Sequence, residues 1–354
     1  MKIYFLADCH IGSKGGNEDV LNDYKDYFEK VFIPYCKEHV KPNDKSILCI
    51  LGDWFDNRSQ LDLMSISYSI KIFEQFSEIF EDIRIIVGNH DMFKKYSNDI
   101  TSVDIFKHIP NVKIYYEPTV EELVDKKVLF LPWFEDLKLQ RELVKKYDVD
   151  YVFGHLAIGG CVTNHKGVTL KNYSTQSDDF KKAQVYAGHI HMRQDYKNIH
   201  YVGTPYHVNR GDIGNKKGIT ILKIESGRTE FVENKFSPQY KQINLYDILD
   251  STIGDLKTDW NNNYIDLVVK CCDSPDCNFE PLKECLKTYY KEFKTIDVGG
   301  NISLKNDNVD LSETKPFRET LNDYINQSIE DEDIKESVKE TLEKITDKYE
   351  ISCS

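Results

Sequence analysis

The sequence contains no apolar run that approaches the roughly 20 residues needed to span a bilayer. Its first residues lack a cleavable signal pattern, and its nine cysteines form no CxxC pair and no regular framework. Internal repeats and low-complexity segments are also missing. These absences argue against membrane-spanning and disulfide-framework proteins. We therefore expect reduced thiols in a cytoplasmic protein, in the host cytoplasm if the source is viral.

Excess positive charge is also missing, because 46 Lys and Arg face 59 Asp and Glu, for a net charge of −13. This balance argues against nonspecific binding to nucleic acid driven by bulk charge. It leaves open a DNA enzyme in which bound cations and a partner subunit supply the positive charge. The 40% hydrophobic and 30% charged residues are typical of a globular protein.

The first 225 or so residues alternate short apolar runs with amphipathic stretches, which indicates an α/β sheet architecture. Apolar residues three or four apart predict helices over Leu21–His39 and Leu63–Phe80. Nearly all of the early strands end in Asp, Asn or His, and α/β sheets bind ligands at the carboxyl ends of their strands. The predicted strands are Lys2–Asp8, Ser46–Asp53, Arg84–Asn89, Lys127–Pro132, Tyr151–His155, Gln184–His189 and Tyr201–Pro205.

A second, smaller α/β pattern follows a turn-rich stretch near Phe236–Tyr240. Residues 315–350 are acidic with helical spacing, which fits either a helix on its own core or one that docks on a partner. We expect domains at 1–235, 236–310 and 311–354. The smaller pattern predicts strands at Lys241–Leu245, Tyr264–Lys270 and Thr295–Leu304, and helices at Ile253–Trp260 and Pro281–Phe293.

Five short polar motifs occur in order, each at or just after the end of an apolar run. Each motif alone is an ordinary turn or helix cap, but five in this position indicate a functional edge. Carboxylate, imidazole and amide oxygen suit divalent ions such as Mn, Fe or Zn, and a bridging carboxylate can hold two ions about 3.5–4 Å apart. The motifs are Asp8-Cys9-His10, Gly52-Asp53-Trp54-Phe55-Asp56, Gly88-Asn89-His90-Asp91, Gly154-His155 and Gly188-His189-Ile190-His191.

This set resembles the motifs of the calcineurin-like metallophosphoesterases. More narrowly, it is similar to the nucleases of the SbcD and meiotic recombination eleven family, which includes recombination exonuclease subunits of T-even phages. The narrower resemblance also rests on Tyr201–Tyr206, Gly211-Asp212 and Asn215–Gly218. Over residues 1–225 the resemblance rests on specific motifs, and over the remainder it rests on the order of the domains alone. It implies a metallophosphoesterase α/β/β/α sandwich with a small α/β cap domain and C-terminal helices.

The resemblance also implies roles for single residues. His90 would protonate the leaving oxygen, and Asp91 would steady the local turn. Asp56, where several family nucleases have histidine, would orient His90, with helix capping as the alternative. His207, Arg210, His165 and Lys166 would lie in the substrate groove or on loop surface. Of two divalent ions, expected to be Mn²⁺, one would be held by Asp8, His10 and His191 and the other by Asn89, His155 and His189, with Asp53 bridging them.

The function implied is a metal-dependent DNA exonuclease and endonuclease in repair, recombination or replication. Its expected partner is an SMC-like coiled-coil ATPase of the SbcC or Rad-fifty type, in a heterotetramer that contains a homodimer of this chain. Residues 236–310 would face DNA, and 311–354 would dock on the ATPase. The alternatives are a standalone phosphoesterase acting on small nucleotides or phosphoproteins, and a non-enzymatic scaffold. The presence of all seven ligand candidates and of His90 disfavours the scaffold.

Overall fold

The structure is a computed structural model that describes residues 1–41, 45–170, 175–244, 247, 251, 253–269, 280–297, 335, 336 and 339. The chain divides into two compact units, Met1–Gly300 and Asn301–Ser354. Most of the predicted strand Thr295–Leu304 and the helical tail at 311–354 lie outside the described residues. The domain boundaries at 235/236 and 310/311 stay predictions.

The first six-stranded sheet has the order β14-β13-β1-β2-β3-β6. Its central strands β1, β2, β3 and β6 are parallel, and β13 and β14 extend one edge in the antiparallel direction. Strands β1 and β2 have continuous apolar runs, as expected for strands covered on both faces. The strands are β1 (Lys2–Leu6), β2 (Ser46–Ile50), β3 (Asp82–Ile86), β6 (Val112–Tyr115), β13 (Gly218–Lys223) and β14 (Arg228–Glu233).

The second six-stranded sheet has the order β11-β12-β10-β9-β8-β7. Strands β8, β9, β10 and β12 are parallel, while β7 and β11 are antiparallel edge strands. The strands are β7 (Thr119–Leu123), β8 (Lys126–Leu131), β9 (Tyr151–His155), β10 (Gln184–Gly188), β11 (Gln194–Tyr196) and β12 (Ile199–Tyr201). A separate hairpin pairs β4 (Met92–Lys94) with β5 (Ser97–Thr101).

The two large sheets pack face to face around one buried cluster that draws on both. Phe5 of β1 lies 4.9 Å, centroid to centroid, from both Phe153 of β9 and Tyr186 of β10. Tyr115 of β6 stacks on Phe130 of β8 at 4.2 Å. Aromatic contacts of this kind stabilise a core beyond the area they bury, and here they join the sheets into a sandwich.

Helices cover the outer faces of both sheets and make the architecture α/β/β/α, as predicted. Those of the first sheet bury apolar residues in one large cluster, and α5 packs with a third cluster on the second sheet. Helix α4 begins after Asp62, whose side chain accepts from Ser65 N, an N-cap bond typical of Asp. The helices are α1 (Ser13–Gly16), α2 (Glu18–Tyr27), α3 (Ile33–His39), α4 (Leu63–Ile79) and α5 (Leu137–Lys146), with a π-helical segment, Phe28–Phe32, between α2 and α3.

A three-stranded parallel sheet follows, with the order β15-β16-β17 and helices α6 and α7. Its small core contains Leu256, Trp260, Ile265 and Leu286. The predicted helix Pro281–Phe293 is too long, because the chain turns after Leu286 and Glu292 begins the last strand. The elements are β15 (Tyr240–Asn244), α6 (Ile253–Trp260), β16 (Tyr264–Val269), α7 (Glu280–Leu286) and β17 (Glu292–Asp297).

The expectation of reduced thiols agrees with the described part of the chain. There Cys9, Cys36, Cys49 and Cys161 are buried free thiols, and Cys285 is an exposed one. No described helix has the length and apolar character that crossing a membrane requires.

Candidate metal centre

All five polar motifs leave the carboxyl ends of parallel strands at one edge of the sandwich. Strands β1, β2 and β3 deliver their motifs from the first sheet, and β9 and β10 deliver theirs from the second. We call this the metal edge, defined by the seven predicted ligands: Asp8, His10, Asp53, Asn89, His155, His189 and His191.

Two groups of these side chains place their ligand atoms within 4.8 Å of one another, Asp8 with His10 and His191, and Asp8 with Asp53 and His155. In the first group, Nε2 of His10 lies 3.0 Å from Nε2 of His191. In the second, Nε2 of His155 lies 3.2 Å from Oδ2 of Asp53. Both groups are nearly closed to solvent, so the donors face one another and not bulk water.

Asn89 connects His155 to His189, the one predicted ligand histidine outside both groups. Its Oδ1 lies 2.9 Å from Nε2 of His155 and 2.9 Å from Nδ1 of His189. The structure therefore brings all seven predicted ligands together. Cys9, which sits between two of them, turns its side chain into the hydrophobic core, so no thiolate joins the donor set. Oxygen and imidazole donors that converge in this way fit divalent metal ions of borderline to hard character.

The backbone at the metal edge is strained. Asp8, His10, Asp53 and His189 have φ angles of 52°, 47°, 54° and 88°, in the left-handed region that L-residues disfavour. Each such residue costs on the order of 1–3 kcal/mol, and this kind of strain clusters at functional sites. The surrounding sandwich therefore holds these ligands in place against their local preference.

Close packing at the metal edge explains two of the glycines in the motifs. A Cβ on Gly52 would clash with the His155 ring, and a Cβ on Gly88 would clash with the Asp53 carboxylate. Gly52 also has a φ of 92°. Only glycine allows these loops to approach this closely.

Burial and mutual charge divide the histidines into two kinds. Burial alone would lower the pKa of His155, but the Asp53 carboxylate beside it raises this pKa to about 9. Burial and the neighbouring His155 lower the pKa of His189 to about 3, while burial and His10 lower that of His191 to about 3. Burial favours the protonated form of Asp8 and raises its pKa to about 6. The centre thus mixes neutral and charged imidazoles around buried carboxylates.

Asp91 ties two motifs together, because its carboxylate accepts hydrogen bonds from main-chain N–H groups of both. Its Oδ2 accepts from Gly88 N at 2.9 Å and from Asp53 N at 2.8 Å, and its Oδ1 accepts from Trp54 N at 3.2 Å. This arrangement agrees with the predicted structural role and extends it, because Asp91 fixes the second motif as well as its own turn.

His90 and Asp56 meet through the main chain of Asp56. The His90 Nδ1–H donates to the main-chain carbonyl oxygen of Asp56, while the Asp56 carboxylate lies 3.1 Å from Nδ1 of His10. The main-chain carbonyl of Asp56 makes the direct contact that holds His90, while the carboxylate lies within 4.8 Å of a ring nitrogen of His90 and of His10, so its orienting role stays a prediction. Because a carbonyl only accepts, Nδ1 carries the hydrogen and Nε2 is left for proton exchange. His90 N also donates to Oδ1 of Asp53 at 2.7 Å.

The four residues predicted to lie in the substrate groove or on loop surface make contacts of other kinds in the structure. Arg210 makes a bidentate ion pair with Asp266 of β16, at 2.7 Å for the shortest contact. Its guanidinium therefore binds the three-stranded sheet. His207 is mostly buried, and its Nδ1 accepts from Tyr240 N. His165 is half-buried and donates its main-chain N–H to Gly211 O, and Lys166 is exposed on the same loop.

Three residues to which the sequence analysis assigned no role, Trp133, Lys217 and Asp212, also support the centre. The Trp133 ring stacks on His189 at 4.5 Å. Buried Lys217 donates to the main-chain oxygen of His191 at 2.6 Å and to Oδ1 of Asp212 at 2.6 Å. Trp133 follows the end of β8, so the strand-end rule could have found it. The sequence carried no sign that Lys217 is buried.

Comparisons with known proteins agree with this geometry. Residues 1–193 match the calcineurin-like phosphoesterase family. The chain is 27% identical over 238 residues to Exonuclease subunit 1 of Enterobacteria phage T4, a match that covers 66% of this chain and 68% of the relative. A crystal structure of a protein of unknown function from Aquifex aeolicus shares 19% identity, with a TM-score of 0.30, over 49% of this chain and 87% of its own. That last likeness is too low to carry an argument.

Proposed function

The chain belongs to the calcineurin-like phosphoesterase family, and from this premise we propose that it is a metal-dependent nuclease that hydrolyses phosphodiester bonds in DNA. One observation carries the proposal: seven ligand side chains from five separate strand ends converge beside a histidine with a free ring nitrogen. Family membership supports hydrolysis of a phosphoester. The name of the phage relative, Exonuclease subunit 1, supports a nucleic acid substrate.

In this proposal the donor set holds two ions, which we assign as Mn²⁺. Asp8 is common to both groups of close ligand atoms, and Asp53 lies beside His155. When bound, the pair of ions would lower the pKa of water and neutralise charge on the phosphate oxygens. Asp8, His10 and His191 are assigned to one ion, Asn89, His155 and His189 to the other, and Asp53 to both.

His90 is the proposed general acid. Its Nδ1–H is held by the Asp56 carbonyl and its main-chain N–H by the Asp53 carboxylate, so the ring has a fixed orientation. Its ring centroid lies 4.9 Å from that of His10, which places it next to the ligands. An imidazole in this position can give a proton from Nε2 to the leaving oxygen, a role that contributes about 10²–10⁴-fold to rate.

The test uses the purified full chain with Mn²⁺ and linear double-stranded DNA. We expect degradation of the DNA, and we expect His90→Ala to lose about 10²–10⁴-fold in rate while it retains bound metal. His108→Ala is the matched control, because His108 is exposed and distant in sequence from every motif. Loss of metal from His90→Ala would contradict its assignment as a proton donor.

The same experiment separates the nuclease from the alternative, a standalone phosphoesterase acting on small nucleotides or phosphoproteins. Bis-p-nitrophenyl phosphate tests the metal centre without a nucleic acid. Rapid turnover of this compound together with no action on DNA, even with a partner ATPase present, would overturn the nuclease proposal.

We propose further that the chain acts with an SMC-like coiled-coil ATPase of the SbcC or Rad-fifty type, as a homodimer within a heterotetramer. The word subunit in the name of the relative supports an assembly. Exposed apolar side chains support a protein interface: Leu63 of α4 is 83% exposed, and Tyr96 and Ile100 of the β4–β5 hairpin are 82% and 61% exposed.

Truncation after Asn306 should keep the metal and abolish co-purification with the ATPase, because we assign 236–310 to DNA contact and 311–354 to docking.

A further inference from the structure

A cavity of about 350 Å³ opens beside the metal edge. Its lining includes two ligand candidates, His189 and His191, and two asparagines, Asn164 and Asn209. None of the motifs used above includes either asparagine. The cavity is therefore continuous with the metal edge but has a polar wall of its own.

The two asparagines are neighbours around Gly211. A Cβ built on that glycine would lie 2.8 Å from Oδ1 of Asn209 and 3.7 Å from Cβ of Asn164. The loops that carry them are also bonded, because His165 N donates to Gly211 O at 3.0 Å. The two side chains thus form one polar surface.

Both asparagines have their oxygen engaged and their amide nitrogen available. Oδ1 of Asn164 accepts from Lys166 N at 3.0 Å and from Val168 N at 3.4 Å. Oδ1 of Asn209 accepts from Gly211 N at 2.7 Å. These turns fix the side-chain orientation, and within the described residues neither Nδ2 group has a hydrogen-bond acceptor. Each asparagine therefore offers two N–H donors that are already oriented.

A buried chain of hydrogen bonds connects this surface to the metal edge. Oδ2 of Asp212 accepts from Asn209 N at 3.0 Å, and Oδ1 of Asp212 accepts from Nζ of Lys217 at 2.6 Å. Lys217 donates in turn to the main-chain oxygen of His191. Asp212 and Lys217 are 0% and 2% exposed. The asparagine wall and the ligand His191 are therefore held at a fixed separation.

We propose that Asn164 and Asn209 form a subsite for a second phosphate, the one that neighbours the scissile phosphodiester along a nucleic acid strand. Asparagine amides are common phosphate donors, and contacts of this kind set the register of a strand without reading its sequence. Neutral donors suit an acidic chain whose positive charge would be concentrated at the metal edge. The proposal rests on the nuclease function and adds to it a preference for strands with at least two phosphates.

The variants Asn164→Asp and Asn209→Asp test the subsite. Asp keeps the oxygen that accepts from the turn but replaces the NH₂ donors with an oxygen that repels phosphate. The Tm of each variant should match that of the wild type, since the turns remain bonded. Asn22→Asp is the matched control, because it makes the same charge change on the exposed face of α2.

Three substrates separate the outcomes: a thymidine trinucleotide with two phosphodiesters, a dinucleotide with one, and bis-p-nitrophenyl phosphate. The wild type and Asn22→Asp should prefer the trinucleotide to the dinucleotide. Each subsite variant should lose about tenfold in kcat/KM for the trinucleotide through KM, a change of about 1.4 kcal/mol. Turnover of the other two compounds should not change.

An equal loss on all three substrates would show that the asparagines only shape the metal edge, and no loss on any would show that they do not contact the strand. Either result overturns the subsite. If the wild type hydrolyses bis-p-nitrophenyl phosphate but neither the oligonucleotides nor linear double-stranded DNA, the nuclease function fails and the subsite fails with it. If it degrades linear DNA but neither oligonucleotide, a second phosphate is not sufficient and the subsite alone is overturned. If the wild type hydrolyses both oligonucleotides equally well, the nuclease function stands and the subsite alone is overturned.

Discussion

The metal edge and the three-stranded sheet β15–β17 are held by different kinds of interaction. At the metal edge, buried polar side chains and strained backbone are fixed by two large sheets that pack on each other. The three-stranded sheet has its own core around Trp260 and contacts the sandwich through ion pairs, Arg210 with Asp266 and Lys291 with Asp23 at 2.7 Å each. Stacked Tyr240 and Tyr264 lie beneath Lys14 at the same junction.

This difference predicts that the two regions can be altered independently. Strain and buried charge at the metal edge are maintained by the sandwich and not by the three-stranded sheet. Partly exposed ion pairs contribute little to stability, so the sheet should loosen without loss of the centre. Four predictions test this separation, beginning with the largest expected effect.

Asp53→Asn removes the carboxylate that lies 3.2 Å from His155 and that we assign to both ions. We expect hydrolysis of bis-p-nitrophenyl phosphate to fall by roughly a thousandfold or more, about 4 kcal/mol of transition-state stabilisation, together with loss of bound metal measured by elemental analysis. Asp99→Asn, at an exposed position of the β4–β5 hairpin, is the matched control. A metal-loaded, active Asp53→Asn protein would refute the proposed bridging role.

Asp56→Ala distinguishes the observed contact from the predicted one. The carboxylate holds His10, so its removal should weaken metal binding by about 10–100-fold, as for other residues that orient a ligand. The main-chain carbonyl that holds His90 is unchanged, so kcat at saturating metal should stay near the wild-type value. A lower kcat that excess metal does not restore would support the original prediction that the carboxylate orients His90.

Metal uptake should release a proton. The pKa of His155 is raised to about 9 in the metal-free protein, so at pH 7 its ring is charged, whereas a ligand imidazole must be neutral. Affinity should therefore rise by about tenfold per pH unit as the pH increases toward 9 and level off above it. Calorimetric titrations in buffers of different ionisation enthalpy measure the release. Uptake without a proton at pH 7 would contradict this pKa.

Arg210→Ala should have the smallest effect and should act on the other region. It leaves the buried Asp266 carboxylate without its main partner, but the arginine is one-third exposed, so the loss of stability should be about 1 kcal/mol. Urea unfolding measures that loss, and turnover of bis-p-nitrophenyl phosphate should not change. A simultaneous loss of metal would show that the two regions are coupled.

The sequence was most informative about the parallel strands and the residues that leave them. The apolar run Tyr151–His155 predicted β9 to the residue, and Gln184–His189 predicted β10 with one residue too many. Buried parallel strands are continuously apolar, so their ends and the polar motifs beyond them are easy to locate. The convergence of the seven ligand candidates could be expected because the carboxyl ends of parallel strands share one edge.

Other features depended on information that the sequence pattern does not carry. The edge strand β14 is largely polar and half exposed, so Arg228–Glu233 gave no strand signal. The orientation of His90 depends on a main-chain carbonyl, and any residue at position 56 would present one. Lys217 follows Lys216 in the sequence with nothing to set the two lysines apart, yet its ammonium group is buried between Asp212 and the His191 carbonyl.

The three tryptophans of the chain have different neighbours, although Trp54 and Trp133 share the core cluster of the first sheet. Trp54 lies in the core beneath the helices of the first sheet, Trp260 in the core of the three-stranded sheet, and Trp133 against the His189 ring. The fluorescence of each tryptophan therefore reports on its own surroundings. Trp133 emission is sensitive to whatever changes the charge or occupancy of the adjacent imidazole, while Trp54 and Trp260 follow the melting of the sandwich and of the smaller sheet.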